Sequence, residues 1–557
     1  MSGAWRQLWR WSRPQLREVG WGFAMGMAWS TTAVAVPLLA RAGVDAAVRG
    51  QDRRAVLALT GALLLVAALK AGALRIRRYF VFQSSARVAG RLRSEMFARL
   101  HALDAGFHAR TTKGRVLGAL SDDTQQIEQF GVSVQVLMNN IVWAALIAVA
   151  LVAIDPGLAV LAALPLPLVL LASRRFTMLL GPTSDRVRET TLALGSTAAD
   201  SITGIETIHG LGAEGPRVAL YRERSAAVTR AAVVASDIRA WYVPLIEVLP
   251  TLSLAVVLVV GGRQVATGAM TLGDFTAFNA YVVMALWPLR FTGVVVGQAS
   301  RARLAVERID ELLRAQPTVP VPDVVRAVSS SARPPALALE DVVFAYDGRP
   351  VLDGLTLRVE PGELVALAGA TGSGKTTVAR LLTRVFDVQH GRVAIDGLDV
   401  REWDPAALRA TVLAVLDDRF LFSRSIRENL LLARPDAADS ELDRAARLAV
   451  LEDVIDGLQD GWQTRAGESG ARLSGGQRQR VTLARALLAG SRALILDDVT
   501  TALGGCVERH LVDALPEIRR GRTLLVITDR PAVLAAADRV LVLEHGRVAE
   551  RDPAPVV

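Results

Sequence analysis

The chain has one cysteine, Cys506, in 557 residues, so no intrachain disulfide can hold it together. It is short of lysine as well: Lys70, Lys113 and Lys375 are three among 64 basic residues. Arginine supplies the rest, which reads as the codon usage of a GC-rich genome rather than a chemical demand. Apolar residues are not in short supply. They make up 51% of the chain, and the mean hydropathy is +0.33. That excludes a purely soluble protein, and the length allows more than one domain. The formal net charge is +9. A basic balance can signal nucleic acid, but here the arginines cluster beside apolar runs. That is the pattern of the positive-inside rule, so the expected partner is a lipid bilayer and not nucleic acid.

The long uncharged runs fall in the first half. A membrane-spanning helix needs about 20 mostly apolar residues. Six stretches qualify: Val19–Ala40, Ala55–Phe80, Gly131–Ile154, Gly157–Ala172, Trp241–Gly261 and Leu272–Val296. Asp155-Pro156 makes a tight hairpin between the third and fourth. Long arginine-rich stretches separate the second from the third and the fourth from the fifth, and their apolar periodicity predicts helices that continue out of the membrane. Both stretches lie on one side if six spans alternate, and that side is expected to be cytoplasmic. Before the first span, Trp5, Trp9 and Trp11 alternate with Arg6, Arg10 and Arg13, which predicts an interfacial helix with its indoles at headgroup depth. Lys70, Glu247 and Arg290 are ionisable residues within or near spans. They are candidates for a substrate cavity, with snorkelling or a structural ion pair as the alternative.

The second half reads as an α/β domain. Leu364–Ala368 is an apolar run that leads into Gly369-Ala370-Thr371-Gly372-Ser373-Gly374-Lys375-Thr376, with Thr377 next. This fits the phosphate-loop pattern, a strand, a glycine loop and a helix. Backbone N–H groups approach phosphate oxygens there, and the helix N-terminus adds its dipole. Lys375 is expected to reach the β- and γ-phosphates of ATP, and Thr376 to ligate Mg2+. Ala493–Leu496 is a second apolar strand and ends at Asp497, a further Mg2+ ligand.

The phosphate loop, Leu473-Ser474-Gly475-Gly476-Gln477 and the Asp497 strand, in this order, resemble the ATPase domain of ABC transporters. Leu272-Gly273-Asp274-Phe275 and the two arginine-rich stretches extend the resemblance to the exporter-type membrane domain, so it covers nearly the whole chain. It implies a helical six-span domain over residues 1–314, a Pro/Ser-rich linker over 315–335 and an α/β ATPase domain over 336–557. It places coupling helices at Phe107–Gly114 and Gly204–Gly212. It assigns Tyr346 to stacking on adenine. It assigns Ser474, Gly475, Gly476 and Gln477 to capping ATP held on another subunit's phosphate loop.

The resemblance also exposes departures. The family's glutamate that activates water is replaced by Asp498, whose carboxylate stops about 1.5 Å short. Asp417 stands at the Q-loop glutamine position and Asp529 at the switch histidine position. Thr501–Gly504 replaces the usual Ser-Ala-Leu-Asp loop. A shortened base and added carboxylates oppose charge developing on the γ-phosphate. The resemblance therefore implies one subunit of a heterodimeric exporter in a bacterial inner membrane, with its N-terminus and ATPase domain cytoplasmic. Its own site would hydrolyse ATP slowly or not at all, while its intact signature serves a partner half-transporter with a catalytic glutamate. A homodimeric exporter with low ATPase, an ATP-gated channel-like protein and a siderophore importer stay open as alternatives. The cargo, a small molecule, peptide or lipid, is not fixed by the fold.

Overall fold

The computed structural model describes residues 3–50, 53–249, 251–319, 333–417, 419–500 and 505–551. The chain divides into two compact units. One comprises Met1–Leu100 and Lys113–Ala315, the other His101–Thr112 and Gln316–Val557.

Among the described residues the first unit contains helices and no strand. Five helical stretches among the described residues are long and apolar enough to cross a membrane: Gly3–Val48, Val56–Ala102, Lys113–Ile154, Pro156–Thr203 and Glu214–Ala266. A sixth long helix, Leu272–Arg314, contains the last expected span. The helices overrun the apolar runs, as the apolar periodicity of the arginine-rich stretches predicts. Arg53–Ala102 alone is one helix of 50 residues, about 75 Å long at 1.5 Å per residue. Asp155 ends the third stretch and starts the fourth. Its carboxylate accepts from Leu158 N at 2.9 Å, and Pro156 fills the first helical position.

The Leu272-Gly273-Asp274 segment has a packing role. Thr271 caps its helix, and Asp45 accepts from Gly273 N and from the Thr271 hydroxyl, each at 3.0 Å. Arg41 pairs with Asp274 at 2.7 Å. A Cβ at position 273 would lie 2.4 Å from the Arg41 carbonyl oxygen, so glycine is required for this close approach. The first and last long helices are thus clasped at one end.

The N-terminal helix Gly3–Ser12 departs in part from the interfacial expectation. Trp9 is exposed, but the Trp5 ring packs on Phe130 at 5.3 Å between centroids. Trp5 and Leu8 cover the small cluster of Phe130, Val295 and Ala302. Protein, rather than headgroups, takes that face because burial there removes the same apolar area from water.

Among the described residues the second unit carries ten strands: β1 (Leu337–Tyr346), β2 (Arg349–Val359), β3 (Leu364–Ala368), β4 (His390–Ile395), β5 (Leu398–Asp399), β6 (Val412–Val415), β7 (Ala493–Asp497), β8 (Thr523–Ile527), β9 (Arg539–Glu544) and β10 (Arg547–Arg551). A four-stranded antiparallel sheet has the order β2-β1-β4-β5, and a six-stranded sheet has the order β10-β9-β3-β8-β7-β6. In the larger sheet the strands from β9 to β6 run parallel. Strands β7 and β8 are buried at every position, as a sheet covered on both faces requires. Alternation along β3 sends Leu364 and Ala366 to one core and Val365 and Leu367 to the other.

Short helices lie at both expected coupling segments: Ala105–Arg110, which covers Phe107–Arg110 of the first and gives way to an extended Thr111, and Ile205–Leu211. The first belongs to the second unit. Asp104 caps it by accepting from Phe107 N at 2.9 Å, and the same carboxylate bonds Thr318 and Val319 N.

Candidate nucleotide-binding site

Strand order puts the chemistry together. β3 pairs with β8, and β8 with β7, in parallel register. Leu367 lies opposite Ile527, and Ile527 opposite Asp497. Two residues past Leu367 the phosphate loop begins at Gly369, and two residues past Ile527 stands Asp529. Gly369, Asp497 and Asp529 therefore emerge at one level at the carboxyl edge of the sheet, where open α/β sheets bind ligands.

A cavity of about 390 Å³ opens there. It is lined by Tyr346, Thr371, Gly372, Gly374, Lys375, Thr376 and Thr377, and by Asp417, Asp497, Asp498 and Asp529. The loop has the shape a phosphate cradle needs. Gly374 has φ +106, and a Cβ there would lie 2.9 Å from Leu352 and 3.0 Å from Val351. The helix Lys375–Leu382 starts immediately after it. Ser373 braces the turn, with its N–H on the Ala370 carbonyl at 3.1 Å and its hydroxyl buried without a hydrogen-bond partner among the described residues. The Tyr346 ring stands edge-on to Phe344 and Phe386 at 4.8 and 5.4 Å, and its hydroxyl accepts from Arg380 at 3.3 Å. Arg380 was not singled out from sequence. Its position five residues after Lys375 on the phosphate-loop helix was the available signal.

Asp497 is buried, accepts from the Thr376 hydroxyl, and leaves its Oδ2 with no hydrogen-bond partner among the described residues. A buried orphan carboxylate oxygen beside a threonine hydroxyl fits a hard divalent cation such as Mg2+. Burial pushes the Asp497 carboxyl above its usual range. The Thr376 bond opposes that shift, and the nearby Asp498 and Asp417 charges add to it.

Asp417, Asp498 and Asp529, the three departures expected from sequence, all line this cavity. Asp498 takes a left-handed backbone, φ 52. Asp417 is exposed and pairs with Arg419 at 2.7 Å. Asp529 accepts from Gly369 N at 3.0 Å and pairs with Lys375 Nζ at 3.3 Å. The Lys375 amine also bonds the carbonyls of Gly369 and Ala370. Thr501–Gly504 lies outside the described residues.

The signature is elsewhere. Ser474 begins the helix Gly475–Leu488 with a capping box: its hydroxyl accepts from Gln477 N at 3.2 Å, and Gln477 Oε1 accepts from Ser474 N at 2.8 Å. None of Ser474, Gly475, Gly476 and Gln477 lines the phosphate-loop cavity. Ser474 is exposed, so its loop is free to meet another surface.

In the membrane unit the described residues include two of the three expected cavity candidates. Lys70 Nζ sits over the Trp29 ring at 5.8 Å, Glu247 is exposed on its own helix, and the Arg290 side chain lies outside the described residues. A cavity of about 690 Å³ in this unit is lined by Arg93, Ser121, Gln125, Glu128, Gln129 and Gln298 among others. The legible signal was the polar series Gln125, Glu128, Gln129, Gln135 and Asn139 entering an apolar helix.

Residues 21–289 match the family model of the ABC transporter transmembrane region, and residues 352–501 match the ABC transporter family model. The chain is 34% identical over 535 residues to a multidrug efflux ATP-binding/permease protein of Mycobacterium tuberculosis. That match covers 96% of the chain but spans only 44% of the relative. It is 30% identical to a fatty acid ABC transporter ATP-binding/permease protein of Mycobacterium bovis, over 83% of the chain and 73% of the relative. A bacterial Atm1-family ABC exporter solved with ATP bound superposes with a TM-score of 0.79 at 28% identity, over 96% of this chain and 94% of that one. With both family models matched in order and the phosphate loop, Asp497 and Ser474 in place, the chain belongs to the ABC transporter family, with the exporter arrangement of a helical membrane domain followed by an ABC ATPase domain.

Proposed function

We propose that this chain is one half of a heterodimeric ATP-driven exporter in a bacterial inner membrane, its ATPase domain cytoplasmic. Its phosphate loop binds MgATP in a composite site that turns over slowly or not at all. Its Ser474 loop completes the hydrolysing site of a partner half-transporter that keeps the catalytic glutamate. One observation carries this reading: Asp417, Asp498 and Asp529 surround a complete phosphate cradle, and among the described residues no neutral amide, imidazole or full-length glutamate lines that cavity. Carboxylates there oppose the charge that builds on the transferring phosphoryl group. The capped and exposed signature supports service to a second subunit. ATP binding would draw the two ATPase domains together, and hydrolysis on the partner side would release them. The relatives' names span drugs and fatty acids, so the cargo is proposed no more closely than an amphipathic small molecule, peptide or lipid.

The test is phosphate release in nanodiscs from the chain alone and from the chain co-expressed with a second ABC half-transporter. Turnover only in the pair supports the asymmetric dimer. Brisk turnover by the chain alone overturns it.

A further inference from the structure

The Lys375 amine and the backbone N–H groups of the loop are the donors that terminal phosphates use. In this structure one carboxylate already holds two of them. Asp529 takes Gly369 N on one oxygen and Lys375 Nζ on the other. The Lys375 side chain is 15% exposed, whereas that of Asp529 is 61% exposed, so the aspartate reaches in from solvent towards an enclosed cation. Asp417 and Asp498 face the same cavity. A β-phosphate can be received by the loop glycines and the first turn of the helix Lys375–Leu382. A γ-phosphate cannot share Lys375 without displacing Asp529 or lying against it, because like charges in contact are strongly disfavoured.

We propose that Asp529 sets the phosphate count of this site: its carboxylate competes with a terminal phosphate, so the site accepts nucleoside diphosphates at least as tightly as triphosphates. The inference rests on the ATPase-domain assignment alone and holds whether the assembly is a heterodimer or a homodimer. It gives the replaced switch position an active role beyond the loss of a catalytic cation. A site that favours diphosphate would release the closed state without hydrolysing its own nucleotide.

The experiment is equilibrium binding of MgADP and of the non-hydrolysable triphosphate analogue MgAMPPNP to the full-length chain in nanodiscs. No turnover is needed, so failure of the heterodimer reading leaves the result unaffected. The wild type is expected to bind MgADP as tightly as MgAMPPNP or tighter. Asp529→Asn should tighten MgAMPPNP by about tenfold and MgADP by a clearly smaller factor, because Lys375 also serves the β-phosphate. Asp529→Glu keeps the charge and should keep the wild-type preference, and its retained MgADP binding reports a folded site. A wild-type preference of about tenfold for MgAMPPNP overturns the proposal. So does an Asp529→Asn variant that shifts both nucleotides equally or neither.

Discussion

Gln479 Nε2 donates to the Asp498 carbonyl oxygen at 2.8 Å. Gln479 is buried on the signature helix, and Asp498 N donates to the Ile527 carbonyl at 2.9 Å. Both peptide groups of Asp498 are therefore fixed, one by the helix that Ser474 caps and one by β8. This clamp holds Asp498 at φ 52, a conformation that aspartate tolerates better than most side chains. Gln479→Leu keeps the side-chain bulk and removes the donor. It should cost about 1–3 kcal/mol, the penalty of a buried carbonyl left unpaired. Chemical denaturation of the full-length chain reads this directly. An unchanged midpoint would show that water replaces the amide.

Asp498→Glu restores the missing methylene, yet it should restore little hydrolysis. The longer side chain regains about 1.5 Å of reach. It must still act beside Asp417 and Asp529, which line the same cavity with negative charge. Phosphate release from the chain alone should rise by less than about tenfold, against the roughly 10²–10⁴ that a working base supplies. A larger gain would mean that the missing methylene by itself disables the site.

How far the sequence announced this arrangement differs between the two units. In the ATPase unit, β3, β7 and β8 are short continuous apolar runs that end at motif residues, so strand identity and site were readable together. The Asp529–Lys375 pair was not, because it depends on β3 and β8 being neighbours, which no local pattern encodes. In the membrane unit the apolar runs gave the helices, but they could not show which face of each helix turns inward. Lys70 drew notice as a lone cation and proves to stack on Trp29. Glu128 and Gln129 drew none, and they line a cavity of about 690 Å³. Polar residues one turn apart on an apolar helix carry that information better than a single charge does.

Asp104 gives a pH-dependent prediction outside the membrane. Partial burial works to raise its pKa, but the hydrogen bonds from Thr318, Phe107 and Val319 outweigh it and hold the carboxyl below its usual range. A depressed carboxylate contributes stability above its unfolded pKa, and that stability is lost as pH falls through the folded value. The stability difference between wild type and Asp104→Ala should thus be constant from neutral pH down to about pH 5. It should shrink below about pH 4. At neutral pH the loss of the cap should amount to about 1 kcal/mol. Thermal denaturation across that pH range tests this. A difference that grows on acidification would contradict the capping role.

Asp497 has the opposite sign. Burial first, then the Asp498 and Asp417 charges, hold its carboxyl above the usual range against the Thr376 bond. Mg2+ needs the ionised form, so protons compete with the metal at a higher pH than at an ordinary aspartate. Asp417→Asn removes one of the charges that raise this pKa and leaves the Thr376 bond in place. The pH midpoint for Mg2+-dependent nucleotide binding should therefore move down. The same change also removes attraction for the cation, so Mg2+ affinity on the high-pH plateau should not improve. Titrating nucleotide binding with and without Mg2+ between about pH 4 and pH 8 separates the two effects. A midpoint that stays put or rises would mean that Asp417, drawn off by Arg419, does not act on Asp497 in solution.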